Sequence, residues 1–467
     1  MTQHEPPDGL DELAKILLQS EDGDDNPTQV YQWRRPGNGE PWADDADVPS
    51  THSKRRWRGR IIGIVVAVLV IATITSYVGI TLTAPVGAAA ATTVRPDVAA
   101  PAAAKITMPE EGETALSVAG ADDYLGPKAN GVFASSGGNG ALPMASISKL
   151  VTAMVVLSAK PLSASGSGPT LTFDKTDEKL YDKYFALNAT IAKMPTGSTM
   201  SERDALETML VVSACNYAEA VADWAFGSEA NYVYATRKWL NAHGMTHTTV
   251  VEPTGVDARN KSTPSDLITL GKLAMANPAI ASIVARKSLD VPLLAGMPNT
   301  NDLLGTDGIN GIKTGTLVPG GSDLLFSAVV PVGTPTPLTL TGVMLAGYSR
   351  TSVDTEVRAL IESIKSGFHQ VQLGTQGDVV GTYSTPWGAE ASMVLGKSAN
   401  TLTWSNEPIT SSMTTTTIKT GKDGEKVGTI TWTAGKSTVS VPIVLQGSIK
   451  GPSAWWRLTH PSELLGK

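Results

Sequence analysis

The sequence has few of the cysteine, histidine and clustered basic residues on which disulfide frameworks, metal sites and nucleic-acid-binding surfaces depend. Its 467 residues include a single cysteine, Cys215, so a disulfide framework within the chain is excluded. The six histidines are scattered, and Gly244 separates His243 from His247, which disfavours a shared helical face and a zinc site. The formal net charge is −7, and the chain has no long basic run apart from one short cluster. Nucleic acid is therefore not expected as a partner.

The most distinctive segment is a long uncharged apolar run that directly follows this basic stretch. SKRRWRGR (53–60) precedes IIGIVVAVLVIATITSYVGITL (61–82), and about 22 apolar residues are enough to cross a hydrocarbon core. Because a basic flank stays in the cytoplasm, the sequence predicts a basic flank and transmembrane helix at 53–83, with the residues after 83 outside the cytoplasm. A cleavable signal peptide, cut near VGAAAA (86–91), is the alternative, but the long leader favours a retained anchor.

Composition divides the rest of the chain. The acidic residues 1–52 have no sustained periodicity, which indicates a disordered cytoplasmic tail, although LDELAKILLQ (10–19) could form an amphipathic helix; a cytoplasmic partner for this tail is left open. The remaining predicted segments are an Ala/Pro-rich linker (84–107), a main domain (108–370), a small β domain (371–450) and a tail (451–467). Trp455, Trp456 and Arg457 in the tail are expected to pack on the β domain, with a membrane interface as the alternative.

PMASISKLVTAM (143–154) places a hydroxyl and an amine three residues apart in an otherwise apolar segment. On a helix, Ser146 and Lys149 would be neighbours. A serine hydroxyl is a poor nucleophile until a base removes its proton, and a buried lysine near other positive charges can be that base. Pro143 suits a helix start, where free N–H groups can face a developing anion. Taken alone, the Ser-x-x-Lys spacing occurs by chance in most chains of this size, so it does not identify an active site.

Two further segments complete a pattern. In MLVVSACNYAEAVADWAFG (209–227), Ser213 lies between an apolar run and an amphipathic helix, where it would otherwise be read as a helix cap. INGIKTGTLVPGG (309–321) places Lys313 at the start of an inner strand, and Gly315 allows close approach of a ligand. Each signal is weak, but the three in this order, separated by domain-scale distances, are jointly specific.

Together these motifs resemble those of the penicillin-recognising serine enzymes, S-x-x-K, S-x-N and K-T-G, and in particular the serine D-alanyl-D-alanine carboxypeptidases among the low-molecular-mass penicillin-binding proteins. The segment 244–275, with its Gly-x-Asp turn, is also similar to that family. The resemblance covers about 108–370, and 371–450 is compatible with the family's C-terminal β domain. It implies an α/β (α+β) fold with an antiparallel sheet, an all-helical lobe and the site between them.

The resemblance also implies roles for individual residues. Ser146 would be the acylated nucleophile, Lys149 its proton acceptor and Ser213 a proton relay, with the N–H groups of Ser146 and Thr316 forming the oxyanion hole. The residues expected to bind substrate are Lys313, Thr314, Gly315, Thr316, Cys215, Asn216 and Arg350. Arg350 is the nearest candidate for the family's carboxylate-binding arginine, and no metal or cofactor is implied.

The second motif departs from the family pattern. Ungapped alignment puts Cys215 where the family usually has Asn, with Asn216 next to it. A shift by one residue would restore the Asn, but it would misplace Ser213 and rotate the following helix by about 100°. A thiol is a weaker donor than an amide, so hydrolysis is less certain than acylation. No histidine lies nearby in sequence, so Cys215 is not expected to be a nucleophile itself.

The implied function is a membrane-anchored serine D-alanyl-D-alanine carboxypeptidase that trims peptidoglycan stem peptides through an acyl-enzyme on Ser146, with β-lactam antibiotics as covalent inhibitors. A DD-transpeptidase, and a non-catalytic protein that binds wall or penicillin, remain alternatives. A class A β-lactamase is disfavoured: Glu252-Pro253-Thr254-Gly255 imitates the start of its deacylation motif, but no Asn follows at the required step.

Overall fold

The computed structural model describes residues 53–292 and 294–465. The tail 1–52, with the amphipathic segment 10–19, lies outside the described residues. The chain divides into two compact units, Met1–Tyr77 and Val78–Lys467. The α-helices of the described residues are α1 (Ser53–Thr83), α2 (Asp122–Leu125), α3 (Ser148–Ala159), α4 (Lys175–Ala186), α5 (Glu202–Val211), α6 (Cys215–Phe226), α7 (Glu229–Ala242), α8 (Pro264–Ala276), α9 (Pro278–Val284), α10 (Arg350–Ser366), α11 (Ala454–Thr459) and α12 (Pro461–Leu465).

The strands of the described residues extend from Ala90 to Gln446. They are β1 (Ala90–Thr93), β2 (Glu113–Ala119), β3 (Ala134–Ser136), β4 (Leu142–Pro143), β5 (Thr170–Thr172), β6 (Thr199–Ser201), β7 (Lys261–Ser262), β8 (Ile309–Leu317), β9 (Gly321–Val330), β10 (Leu338–Gly347), β11 (Phe368–Gly374), β12 (Val379–Ser384), β13 (Glu390–Leu395), β14 (Ala399–Trp404), β15 (Ile409–Thr415), β16 (Lys426–Ala434) and β17 (Ser437–Gln446).

The helix α1 is defined by the apolar run that the sequence singled out. Its segment Trp57–Thr83 has 27 residues, so at about 1.5 Å per residue it extends for roughly 40 Å. By length and composition it is able to cross a membrane.

A five-stranded antiparallel sheet in the order β3-β2-β10-β9-β8 forms the centre of the main domain. Because side chains alternate along a strand, the two faces of this sheet have separate cores. On one face Phe326 packs with Val357 and Leu360 of α10. On the other face Ile312 and Leu325 join a larger core that includes α3, α5, α6, α8 and α9. This arrangement confirms the predicted fold class, an antiparallel sheet combined with a helical lobe.

A second, six-stranded antiparallel sheet in the order β1-β12-β13-β17-β16-β15 lies in the C-terminal region, where the sequence predicts β structure. Its edge strand β1 comes from the segment expected to be a spacer, and Ala91 pairs with Tyr383 of β12. The segment 84–107 is therefore partly built into this sheet. In the tail, the Trp456 ring packs edge-on against Trp387 at 5.8 Å, whereas Trp455 stays exposed.

Candidate active site

The hydroxyl and the amine of the first motif are in direct contact. Ser146 lies in a 3₁₀ turn, Ala145–Ile147, that leads into α3, and Lys149 lies in the first turn of α3, fully buried. Lys149 Nζ donates a hydrogen bond to Ser146 Oγ over 2.9 Å. The spacing predicted neighbouring side chains, and the structure brings them within proton-transfer distance.

A backbone carbonyl supplies the second partner of this lysine. Lys149 Nζ donates to Thr254 O over 2.8 Å. The loop that carries Thr254 is held by the Glu252 carboxylate, which accepts from the N–H groups of Thr254 (2.7 Å) and Gly255 (2.6 Å). Glu252 is thus used to shape a loop, which agrees with the sequence argument against a β-lactamase glutamate. A side chain on Gly255 would meet Ala145 O, so only glycine permits this approach.

The third motif lies on β8, and its lysine is as buried as Lys149. Lys313 Nζ donates to Thr314 O over 3.1 Å and to Thr300 Oγ1 over 3.4 Å. Burial lowers the pKa of Lys313 well below its usual value, and the positive charges of Lys149 and Arg350 lower this pKa further. The first and third motifs, far apart in sequence, therefore share one electrostatic environment.

The strand β8 packs directly on the turn that carries the nucleophile. A Cβ atom added to Gly315 would lie 3.0 Å from Ala145 Cβ and 2.7 Å from Asp323 Oδ2. This close approach places Thr316 and Ser146, the next residues along each segment, beside the same contact. The Thr316 side chain is exposed, and its hydroxyl donates to Gly315 O over 2.8 Å.

Sequence reasoning missed Thr300, which links three parts of the site. Its N–H donates to Val211 O over 3.0 Å at the end of α5, and its Oγ1 accepts from Thr314 Oγ1 over 2.7 Å. Its carbonyl accepts a hydrogen bond from the Arg350 guanidinium. Arg350 is thereby placed near Lys313, as the proposed carboxylate site requires. No residue pattern around 299–301 indicates this role, because it depends on contacts distant in sequence.

Ser213 lies between α5 and α6, buried, two residues after Val211. Its φ of +67° is in the left-handed region, which non-glycine residues rarely adopt. Within the described residues, no hydrogen bond links it to Lys149 or Lys313, so the proton relay stays a prediction. Cys215 begins α6, buried, and its backbone N–H donates to Thr190 O over 2.8 Å.

Asn216 makes its side-chain hydrogen bonds to the backbone of Ala192. It is fully buried, its Oδ1 accepts from the Ala192 N–H over 3.1 Å, and its Nδ2 donates to Ala192 O over 2.8 Å. These two hydrogen bonds use the Oδ1 acceptor and one of the Nδ2 donors, and the substrate contact expected of Asn216 stays a prediction. Asn216 fixes the 190–194 segment against α6.

With this geometry established, comparison with known proteins gives a consistent result. Residues 126–332 match the model of a peptidase family described as D-alanyl-D-alanine carboxypeptidase. This part of the chain is therefore similar to the D-alanyl-D-alanine carboxypeptidase family. The matched region of the D-alanyl-D-alanine carboxypeptidase family includes Ser146, Ser213 and Lys313 and ends before Arg350.

The relatives of the chain carry two kinds of name. A D-alanyl-D-alanine endopeptidase of Pseudomonas aeruginosa is 29% identical over 196 residues, which cover 40% of this chain and 60% of the relative. The D-alanyl-D-alanine carboxypeptidase DacC of Escherichia coli is 27% identical over 210 residues, which cover 44% of this chain and 51% of DacC. The chain thus spans less than two thirds of the length of these relatives.

Among solved structures, penicillin binding protein 5 of Haemophilus influenzae is similar with a TM-score of 0.49 and 16% identity, covering 77% of this chain and all of that one.

Proposed function

We propose that this protein is a membrane-anchored serine D-alanyl-D-alanine carboxypeptidase that trims peptidoglycan stem peptides. The observation that carries the proposal is the 2.9 Å contact between Lys149 Nζ and Ser146 Oγ at a buried helix start, beside the equally buried Lys313. In a helix that only fills a core, a buried amine and a buried hydroxyl would add nothing to stability. A serine acyl-transfer enzyme requires both.

In the proposed reaction, Ser146 Oγ attacks the carbonyl carbon of the terminal D-Ala–D-Ala bond and Lys149 Nζ accepts the hydroxyl proton. Burial, and after it the positive charge of Lys149, lowers the pKa of the neighbouring Lys313. The N–H groups of Ser146 and Thr316 stabilise the oxyanion. The proton passes to the departing D-Ala nitrogen, and water then hydrolyses the Ser146 ester.

The terminal carboxylate of the substrate is expected near Lys313, Thr314 and Arg350. Arg350 carries a fixed positive charge and is exposed, so it can meet an incoming anion. Thr300 holds the Arg350 guanidinium and the Thr314 hydroxyl close together. The substrate would lie along β8, with its carboxylate towards residue 313 and its scissile carbonyl at 315–316.

The proposed location is the outer face of a cell membrane. The helix α1 is long enough to span a membrane, and the basic residues of 53–60 at its N-terminal end support a cytoplasmic N-terminus. The site on β8 and α3 then faces the wall. β-Lactam antibiotics would acylate Ser146 because their strained amide takes the place of the dipeptide.

A D-alanyl-D-alanine endopeptidase is the second candidate, because the relative from Pseudomonas aeruginosa carries that name. The chemistry at Ser146 would be the same, with a cross-linked peptide in place of a free stem. Transpeptidation, with an amine in place of water, and penicillin binding without turnover also use the same pocket.

Product analysis with the purified full chain in nanodiscs separates these functions. D-Ala release from a pentapeptide in water supports the carboxypeptidase, release only with an amine acceptor supports transfer, and cleavage only of cross-linked dimers supports the endopeptidase. Ser146→Ala should abolish any turnover, and Ser158→Ala, a change at the exposed end of α3, should retain it. No turnover of any substrate would remove the proposed catalysis.

A further inference from the structure

A buried carboxylate lies directly behind the third motif, and the reaction proposed above does not use it. Asp323 is on β9, where it pairs with Gly315 of β8, and its side chain is almost fully buried. Its Oδ2 occupies the space where a side chain on residue 315 would lie, 2.7 Å from that Cβ position. Gly315 is thus enclosed between the Asp323 carboxyl group and Ala145, the neighbour of Ser146.

The other oxygen of this carboxyl group binds the segment that leads to Arg350. Asp323 Oδ1 accepts a hydrogen bond from the Ala346 N–H over 2.9 Å. The pairing of β10 with β9 shifts between Met344 and Gly347, and Ala346 has a φ of +56°, so this N–H lies at a β-bulge. Two residues on, the Tyr348 N–H donates to Glu111 Oε2 over 3.0 Å. Two carboxylates therefore fix the backbone just before Arg350.

We propose that Asp323 is a positioning residue of the active site, which acts through Gly315 and Ala346 and whose protonation state sets how tightly the substrate carboxylate is bound. One side chain contacts both the strand that carries Lys313 and the bulge that orients Arg350. This inference rests on the proposed function, since it assigns to the same site a control on substrate binding.

The position of Asp323 explains why its charge would matter. Lys313 pairs with Leu325 and Gly315 with Asp323, so Lys313 and Asp323 are diagonal neighbours on one face of the strand pair. The other charged groups on the segments packed against Asp323 are Lys149 on α3, Glu111, which accepts from the Tyr348 N–H, and Arg350, the first residue of α10. An anion at Asp323 would oppose the substrate carboxylate that Lys313 and Arg350 attract.

Burial raises the pKa of Asp323 to about 7, although the hydrogen bond from Ala346 lowers it. Below that pH the folded protein holds a neutral carboxyl group, and above it an anion. The group thus changes charge in the pH range in which the enzyme would work, and KM for a peptide carboxylate should rise as pH increases through 7.

The test is the pH dependence of KM and kcat for D-Ala release, measured on the full chain between pH 6 and 8. In the wild type we expect KM to increase on the order of 10-fold, because the Asp323 anion would repel the carboxylate of the substrate. Asp323→Asn should remove the part of this increase that comes from Asp323, so its KM should rise clearly less with pH than that of the wild type, and the pH profile of kcat should stay unaltered. Asp123→Asn, an equal charge change at an exposed site paired with Lys436, should behave as the wild type.

Two further measurements keep the result independent of that variant. With a substrate that ends in D-Ala-amide, the wild-type KM should not vary with pH, because the opposing carboxylate is gone. The ¹³C carboxyl signal of Asp323 should titrate near pH 7. Titration below pH 5, or a wild-type KM that is flat for the acid substrate, would overturn the inference. Absence of penicillin labelling and turnover would instead overturn the proposed function, and the ¹³C titration would still decide the role of Asp323.

Discussion

Lys149 is a buried amine whose hydrogen bonds do not include an anionic partner. It is fully buried, and its hydrogen bonds go to a hydroxyl and a carbonyl, neither of which is an anion. Burial of an amine without an anionic partner is costly, so a fold gains nothing in stability from it. The proposed proton transfer with Ser146 would explain why an amine lies in this buried helix.

Replacement of this amine should separate catalysis from stability. In Lys149→Met a similar volume is kept and the base is lost, so acylation by a fluorescent penicillin should slow by about 10²–10⁴-fold, the usual contribution of a general base. The melting temperature should not fall, because an apolar side chain suits the buried site. Lys397→Met, at an exposed position in the β domain, is the matched control and should label at the wild-type rate. Equal labelling of both variants would exclude Lys149 as the base.

Thr300 allows a test of substrate positioning. In Thr300→Val the Oγ1 partner of Thr314 and Lys313 is lost, and one such hydrogen bond contributes about 1 kcal/mol, or roughly 5-fold in KM. We expect KM to rise by that factor with little change in kcat. Thr355→Val, whose hydroxyl only donates to Thr351 O on the exposed side of α10, should leave KM unchanged. A loss confined to kcat would contradict a role in substrate binding.

At the scale of elements, the site depends on contact between β8 and the turn before α3. The sequence predicted both elements, because Ser-x-x-Lys spacing and strand alternation are local properties. It could not predict Thr254, Thr300 or Asp323, because their roles come from contacts between distant segments. Adjacent residues on a helix point about 100° apart, so Cys215 and Asn216 face different directions from α6, and the substrate contacts expected of both stay predictions.

Gly315→Ala tests this contact between elements. The added methyl group would meet Asp323 Oδ2 at 2.7 Å and Ala145 Cβ at 3.0 Å, so the Asp323 carboxyl group must shift and the contact between β8 and the turn at Ala145 must widen. Overpacking of this kind lowers the free energy of unfolding by about 1–3 kcal/mol. We expect the activation free energy of acylation to rise by more than this amount. Gly451→Ala, which has open space around it, should have no effect on labelling. Normal acylation by Gly315→Ala would mean that the close approach is not needed.

At the scale of the whole molecule, several buried carboxyl groups share one property. Burial raises the pKa of Glu202, Glu207 and Asp323, so the folded protein holds their protons more tightly than the unfolded chain. Stability from such groups is fully present below their unfolded pKa values, near 4, and is lost as pH rises through their folded values. Unfolding by urea should therefore become easier between about pH 4 and 7.

Glu202 is the clearest contributor to this trend, because neither of its carboxylate oxygens has a hydrogen-bond partner in the described part of the chain. In Glu202→Gln the ionisation is removed, so the urea midpoint should fall less between pH 5 and 7.5 than in the wild type. Glu362→Gln, an exposed change on α10, should follow the wild type. A wild-type midpoint that rises with pH across this window would show that the lowered pKa values of exposed groups such as Asp174 dominate.

The domain limits predicted from composition stay predictions, but the predicted linker contains a strand that the sequence did not indicate. The segment 84–107 was expected to be an extended spacer, and Ala90–Thr93 within it pairs with β12 as an edge strand. Alanine and proline content gave no indication of this pairing, because an edge strand needs only free backbone groups on its neighbour.

The central claim is that Ser146 is the acylated nucleophile and that Lys149 is its base. Peptide mass spectrometry of the full chain after incubation with penicillin tests it directly. We expect one penicilloyl adduct, on the peptide that contains Ser146, absent in Ser146→Ala and formed far more slowly in Lys149→Met. An adduct that persists in Ser146→Ala, or that maps to Ser148 or Ser213, would contradict the account.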